Sequence, residues 1–246
     1  MENLVATDVQ ELKKGFLPAP ELPDQWPAWR NRLQSWAEQE RAKLPAPRYD
    51  RAAQAWASRA YAQGFVMLWD NELIDHKTGQ WQVDRLLDRA ERDFGGYDLV
   101  VLWSNYPNSG VDGRHQLAYY DELPGGRPAL AAAVECFHAR GVRVLLDHKP
   151  WVKAPVPGFD SIEDAFVDIV RECNLDGLYL DCSDGPDDSF RQRMAERAGP
   201  GKIFISEAPT VPAPEGFSEI GCWQQMTDDS TAPGVYRNRL LDRHQI

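Results

Sequence analysis

Asp176-Gly177-Leu178-Tyr179-Leu180-Asp181-Cys182-Ser183-Asp184 is an apolar run that ends abruptly in carboxylates, with Gly185-Pro186 behind it. Leu178 to Leu180 shows no polar alternation, the pattern of a parallel strand covered on both faces. Asp181 then has two readings. It belongs to an acidic turn that caps the next helix, a role Asp184, Asp187 and Asp188 fit. Or it belongs to a site built on the C-terminal ends of strands. The second reading gains weight because other apolar runs in the chain also end in acidic, basic or aromatic side chains.

Those runs recur with helical segments between them. Upstream, Phe65-Val66-Met67-Leu68-Trp69-Asp70 ends in an acid. Val83, Leu86, Leu87 and Ala90 then form one helical face, stopped by Gly95-Gly96. Leu99 to Trp103 is a second strand, and a long polar loop through Asp112, Arg114 and His115 follows it. Pro124-Gly125-Gly126 leads into a helix with Leu130, Ala133, Val134 and Phe137 inside, ended by Gly141. Val142 to Leu146 is the third strand and runs into Asp147-His148-Lys149-Pro150-Trp151. Ser161 and Asp164 have the spacing of a capping box ahead of Ile162, Phe166, Ile169 and Val170. Downstream of the quoted stretch a helix spans about Asp187 to Ala198. Lys202 to Ser206 is a fifth strand reaching Glu207, and a sixth near Ile220 to Trp223 leads into Asp228 and Asp229.

Strands alternating with helices mean an α/β fold with a parallel sheet. The expected architecture is of the (β/α)8 TIM-barrel type with about six βα units present. A barrel of eight units takes about 250 residues. Here six strands occupy residues 65 to 246, and Val235 to Ile246 has the pattern of a helix start, so the chain is expected to lack its last two units. The alternative is a doubly wound open sheet of six strands. No GxGxxG or GxxxxGK[ST] is present to support a nucleotide-binding fold, and no cofactor is expected. Ahead of the barrel portion, residues 63–246, lies an N-terminal part, residues 1–62. It reads as a loose Pro-containing arm followed by helices over about Pro27 to Lys43 and Asp50 to Ala62. In the first of these Trp29, Leu33, Trp36 and Ala37 form a stripe, and Leu44-Pro45-Ala46-Pro47 ends it. These helices are expected to close the bottom of the barrel or to form a small cap.

Composition narrows the function. The 246 residues carry a formal net charge of -11, which argues against nucleic acid or an anionic membrane as partner, since both need a basic face. No apolar run reaches the roughly 20 residues of a membrane span, and Met1 to Gln10 lacks a signal-peptide pattern. The four cysteines, Cys136, Cys173, Cys182 and Cys222, form no CxxC pair. Reduced thiols in a cytoplasmic protein are expected.

Hydrolysis of a glycosidic bond needs two carboxyl groups flanking the anomeric carbon, about 5 to 9.5 Å apart depending on stereochemistry. Asp181, Glu207 and Asp228 or Asp229, at successive strand ends, are the candidates: Asp181 as nucleophile, Glu207 or Asp228 as acid. Asp70, Asp147 and Lys149 are placed to bind sugar hydroxyls. Trp69, Trp103, Trp151 and Trp223 are placed to stack on pyranose faces, though packing explains most tryptophans. Arg114 and His115 lie in the long loop, a common place for function. His148, before Pro150, reads as a packed loop residue. No HExxH or HxxEH spacing supports a metal.

Val144-Leu145-Leu146-Asp147-His148 resembles the strand-three motif of the α-amylase family. Asp176 to Asp181 resembles that family's nucleophile segment, and Ile205-Ser206-Glu207 its strand-five acid. Leu180-Asp181-Cys182 and Trp223 to Asp229 also resemble the strand-four nucleophile and the acid/base segment of α-galactosidases. Tyr179 stands where the first family carries Arg and the second Lys. The resemblance implies a barrel of the glycoside hydrolase superfamily, a carbohydrate substrate and a retaining mechanism. Two further readings stay open: a non-catalytic carbohydrate-binding barrel, and a metal-dependent barrel hydrolase or isomerase.

Overall fold

The computed structural model describes residues 16–18, 20, 22–43, 52–104, 113–183, 185–207, 220–221 and 234–236. The apolar runs form six parallel strands: β1 (Gln63–Met67), β2 (Leu99–Trp103), β3 (Arg143–His148), β4 (Gly177–Leu180), β5 (Ile203–Ser206) and β6 (Ile220–Gly221). They lie side by side in chain order. The helices are α1 (Trp26–Lys43), α2 (Val83–Phe94), α3 (Ala118–Asp121), α4 (Gly126–Ala139), α5 (Ile162–Glu172) and α6 (Asp188–Arg197). None among the described residues is long and apolar enough to cross a membrane.

Alternate strand residues point to opposite faces, and the two faces are covered differently. Val66, Val100, Leu102, Val144, Leu146, Leu178, Leu180 and Phe204 point one way, into the apolar stripes of α2, α4, α5 and α6. In α5, Phe166, Ile169 and Val170 are fully buried, each contributing about 1.5–3 kcal/mol by leaving water. Leu99, Val101, Trp103, Leu145, Tyr179, Ile203 and Ile205 point the other way and form a second cluster with Ala57 and Ala60. Among the described residues the α-helices packed on the sheet lie on one face, and the strands run in sequential order, as in a barrel wall. A doubly wound sheet has helices on both faces and a reversal of strand order, so that alternative is set aside.

The segment expected as a helix from Asp50 to Ala62 is a 3-10 helix over Ala52–Arg59, tightened at its end where the Ala60 N–H donates to Ala57 O at 3.2 Å. It lies under the start of β5. Gln54 Nε2 donates to Lys202 O at 2.8 Å, and Trp56 Nε1 to Gly201 O at 3.2 Å. It therefore covers the N-terminal end of the sheet's interior face. Phe16–Pro18 pairs antiparallel with Gly234–Tyr236. Val235 and Tyr236 are thus in a strand, not at the start of a helix, in keeping with the β preference of branched and aromatic residues.

Helix ends follow local chemistry. Gly95 closes α2 in the left-handed region, φ 96°. Ser161 caps α5: its hydroxyl accepts from Asp164 N–H at 3.0 Å and donates to Asp164 Oδ2 at 2.9 Å. Asp187 Oδ1 accepts from Phe190 N–H at 2.7 Å to cap α6.

Strand β4 is pinned at its base. Asp176 N–H donates to Val144 O at 2.8 Å, and Ile203 N–H donates to Asp176 O at 2.9 Å. The Asp176 carboxylate accepts from Val144 N–H at 2.8 Å and Arg143 at 2.8 Å, and meets His138 Nε2 at 2.7 Å. Gly177 follows at φ 155°, and a Cβ there would stand 1.9 Å from Ile203 O. Because that neighbour is backbone, nothing can rotate away. Gly177→Ala is therefore expected to lower stability by about 3 kcal/mol, read as a reduced denaturation midpoint in urea. Wild-type stability in that variant would show that β4 and β5 can move apart.

Candidate functional site

The pairing register sets the site. Asp147 lies opposite Tyr179, His148 opposite Leu180, and Leu180 opposite Ser206. One step further along, Lys149, Asp181 and Glu207 come to the same level. Asp181 N–H donates to His148 O at 2.9 Å, and Glu207 N–H to Leu180 O at 3.2 Å. Asp147, Asp181 and Glu207 each stand two residues beyond an interior residue (Leu145, Tyr179 and Ile205), so all three belong to the interior face at the C-terminal ends of the strands.

One carboxyl oxygen of Asp181 and one of Glu207 lie within 4.8 Å of each other, and both residues are buried. The loss of water on burial, then the Glu207 carboxyl and then the Asp147 charge push Asp181 up to about 7. Glu207 Oε2 accepts the backbone N–H of Cys182, an interaction that favours an ionised acceptor. Cys182 is held at φ 45°, an uncommon conformation for a side-chain-bearing residue that costs about 1 kcal/mol or more. That turn delivers the N–H to Glu207. Burial beside a second carboxyl thus favours the protonated form of Asp181.

The donor atoms of Asp181, Cys182 and Glu207 lie within 4.8 Å of one another. Burial and the Glu207 carboxyl also push the Cys182 thiol up to about 11. Both shifts favour the protonated forms of Asp181 and Cys182.

Beneath it is a second polar group. Asp147 is 0% exposed and Lys149 3%. Asp147 Oδ1 accepts from Ser104 N–H at 2.7 Å and Tyr120 O–H at 3.2 Å. Lys149 Nζ lies 3.1 Å from Asp147 Oδ2, short of hydrogen-bond alignment, and donates to Ser104 Oγ at 3.4 Å. The Gln116 amide clasps the Lys149 backbone, accepting its N–H and donating to its carbonyl, each at 2.7 Å. Ser104, Gln116 and Tyr120 carry no sequence signal: a lone serine at a strand end and two residues within a loop match no motif.

The remaining expected site residues are scattered. Asp70 is exposed, and its Oδ1 accepts Glu72 N–H at 2.8 Å, closing a local turn. Trp103 faces the interior, its ring centroid 5.3 Å from Phe65 and 5.4 Å from Tyr179. Arg114 pairs with Glu122 and stacks 5.8 Å over Tyr119. Trp151 is 50% exposed beyond β3. His148 packs 4.4 Å from Phe166 on the helix side, and burial lowers it to about 3, leaving it neutral. His148 is thus a packed residue, as expected. Asp112, Trp223, Asp228 and Asp229 lie outside the described residues.

No protein-family model matches the chain, and no curated protein matches it in sequence. Among solved structures it is similar to a cyclomaltodextrinase, at 15% identity over 63% of this chain and 40% of the other, TM-score 0.40. It is similar to an α-amylase from Geobacillus thermoleovorans complexed with acarbose, at 16% identity over 64% and 47%, TM-score 0.36. A maltogenic α-amylase from Thermotoga neapolitana gives 18% identity over 59% and 45%, TM-score 0.39. The chain spans less than half the length of each. The likeness is one of distant architecture: an α/β chain resembling part of an amylase-type barrel.

Proposed function

We propose that the chain carries the carboxyl pair of a retaining glycoside hydrolase, with Asp181 as nucleophile and Glu207 as acid and base. The observation that supports this is two buried carboxyls at adjacent strand ends on the barrel interior, with oxygens within 4.8 Å of each other. Retaining enzymes hold their two carboxyls about 5–5.5 Å apart when a sugar lies between them. Here an oxygen of each lies within 4.8 Å of the other. Attack requires an ionised nucleophile, so the proton that burial favours on Asp181 must leave it before the reaction begins.

From that state the reaction runs in two halves. Asp181 bonds to the anomeric carbon while Glu207 gives its proton to the departing glycosidic oxygen. Glu207, now a base, takes a proton from water, whose oxygen displaces Asp181 from the sugar. The half-exposed Trp151 ring beyond β3 offers a face for a pyranose.

The two roles separate by leaving group. Asp181→Asn is expected to lose at least about 10³-fold in kcat on every glycoside. Glu207→Gln is expected to lose about 10²–10⁴-fold on a poor leaving group but to keep most of its activity on an aryl glycoside whose phenol departs without protonation. The reverse pattern would exchange the roles. Full activity in both variants would remove the pair from the reaction.

Stability should also depend on pH through Asp181. Its folded-state value lies above the unfolded one, so the folded chain holds the extra proton. The resulting stabilisation is complete below about pH 4 and is lost as pH rises through about 7. The melting temperature of the wild type should therefore fall relative to that of Asp181→Asn between pH 5 and pH 8. Parallel curves would mean that burial beside Glu207 does not raise Asp181.

A further inference from the structure

The turn that follows Asp181 is gripped by two consecutive residues of β5, one from each face of the sheet. Asp181 N–H still belongs to the ladder and donates to His148 O at 2.9 Å, and Glu207 N–H donates to Leu180 O at 3.2 Å. The register of β4 with β5 ends at Leu180, and side chains then take over from the backbone. Glu207, on the interior face, accepts the Cys182 N–H at Oε2. Ser206, on the opposite face by strand alternation, donates its hydroxyl to the Ser183 carbonyl oxygen. Ser206 is 0% exposed, so water does not compete for that hydroxyl. Within the turn, Ser183 Oγ accepts Gly185 N–H at 3.2 Å. Cys182 sits at φ 45° between the two grips, a conformation that a side-chain-bearing residue keeps when its surroundings hold it there.

We propose that Ser206 is a positioning residue for Glu207: by holding the Ser183 carbonyl it fixes the turn that presents the Cys182 N–H to the Glu207 carboxyl. A protonated carboxyl has one hydroxyl oxygen, which donates, and one carbonyl oxygen, which accepts. The amide N–H at Oε2 makes Oε2 the accepting oxygen, so the proton that Glu207 delivers is carried on Oε1. The same N–H restrains rotation of the carboxyl about its last bond. Without the Ser206 hydroxyl, Cys182 can leave its left-handed conformation and its N–H turns away. Either oxygen of Glu207 can then take the proton, and the acid loses its aim. Ser206 lies on the helix side of the sheet, and its effect on the reaction passes through the turn.

The proposal rests on Glu207 being the acid and base, so its test pairs turnover with a readout that needs none. Amide hydrogen exchange at Cys182 and at Asp181 is followed by NMR on the full chain. In Ser206→Ala the Cys182 amide should exchange about tenfold or more faster than in the wild type. The Asp181 amide, bonded to His148 O in the ladder, should exchange as before. On an alkyl glycoside, whose oxygen must be protonated as it departs, kcat should fall by about 10- to 100-fold. On an aryl glycoside kcat should change little, and KM should hold on both. Ser206→Thr keeps the hydroxyl and should restore both readouts; if its extra methyl prevents folding, Ser206→Ala alone decides. Faster exchange at Cys182 but not at Asp181, with the loss confined to the alkyl glycoside, supports the proposal. Wild-type exchange at Cys182, an equal acceleration at Asp181, or an equal loss on both glycosides overturns it and leaves Ser206 a structural residue. If the Cys182 amide responds as expected and the wild type cleaves no glycoside, the hold of Ser206 on the turn stands and the hydrolase reading fails.

Discussion

Strand β4 has its neighbours fixed at its first two residues, and the site depends on that. Asp176 bonds through its backbone to β3 and β5 and through its carboxylate to β3 and α4. Gly177 then lets the Ile203 carbonyl come where a Cβ would stand. Parallel pairing has no tight turn to set its register. A slip of one residue would turn every side chain of β4 to the opposite face. Asp181 would then point at α5 and α6, and Tyr179 would leave the interior. The anchor at the base of the strand thus decides which carboxylates meet at the other end.

The cost of this arrangement falls on the interior polar groups. A buried ion pair such as Asp147–Lys149 adds little net stability, because desolvation offsets the attraction, yet removing one partner costs about 3–5 kcal/mol. The apolar wall supplies the stability instead. Helices α2, α4, α5 and α6 bury a continuous stripe against the other face of the sheet. The division is by strand parity: even positions of β2 to β5 serve the core, odd positions the interior.

Much of this was legible in the sequence. The apolar runs gave strand positions to within two or three residues, because a strand covered on both faces has a composition that no loop shares. The capping box at Ser161 and the glycine after α2 were readable from local chemistry alone. Asp181 and Glu207 were recognisable as strand-end carboxylates and do stand together. Asp147 and Lys149 were read as groups for sugar hydroxyls; the structure places both out of solvent, because Tyr120, Ser104 and Gln116 close over them. Those three come from the end of β2 and from the loop and short helix after it. Their convergence on β3 is a matter of tertiary path, which no spacing encodes. Asp70 read the same way as Asp181, an acid after an apolar run, yet it only closes a turn. The difference lies in what surrounds each residue, not in the pattern that announces it.

Asp176 and Asp181 make the same point within one strand. They stand at its two ends, five residues apart in sequence, and both are buried. Asp176 is met by Arg143, His138 and a backbone N–H, so every neighbour offers a proton or a positive charge. Asp181 is met by Glu207 and the charge of Asp147, so its neighbours make it hold a proton. The first arrangement is satisfied and resists change, as an anchor must. The second is not: burial and the Glu207 carboxyl raise Asp181 to about 7, so it can gain or lose its proton near neutral pH. A group able to change its protonation state within the fold is what general acid and base chemistry requires, and in this strand the environment assigns that capacity to the C-terminal end alone.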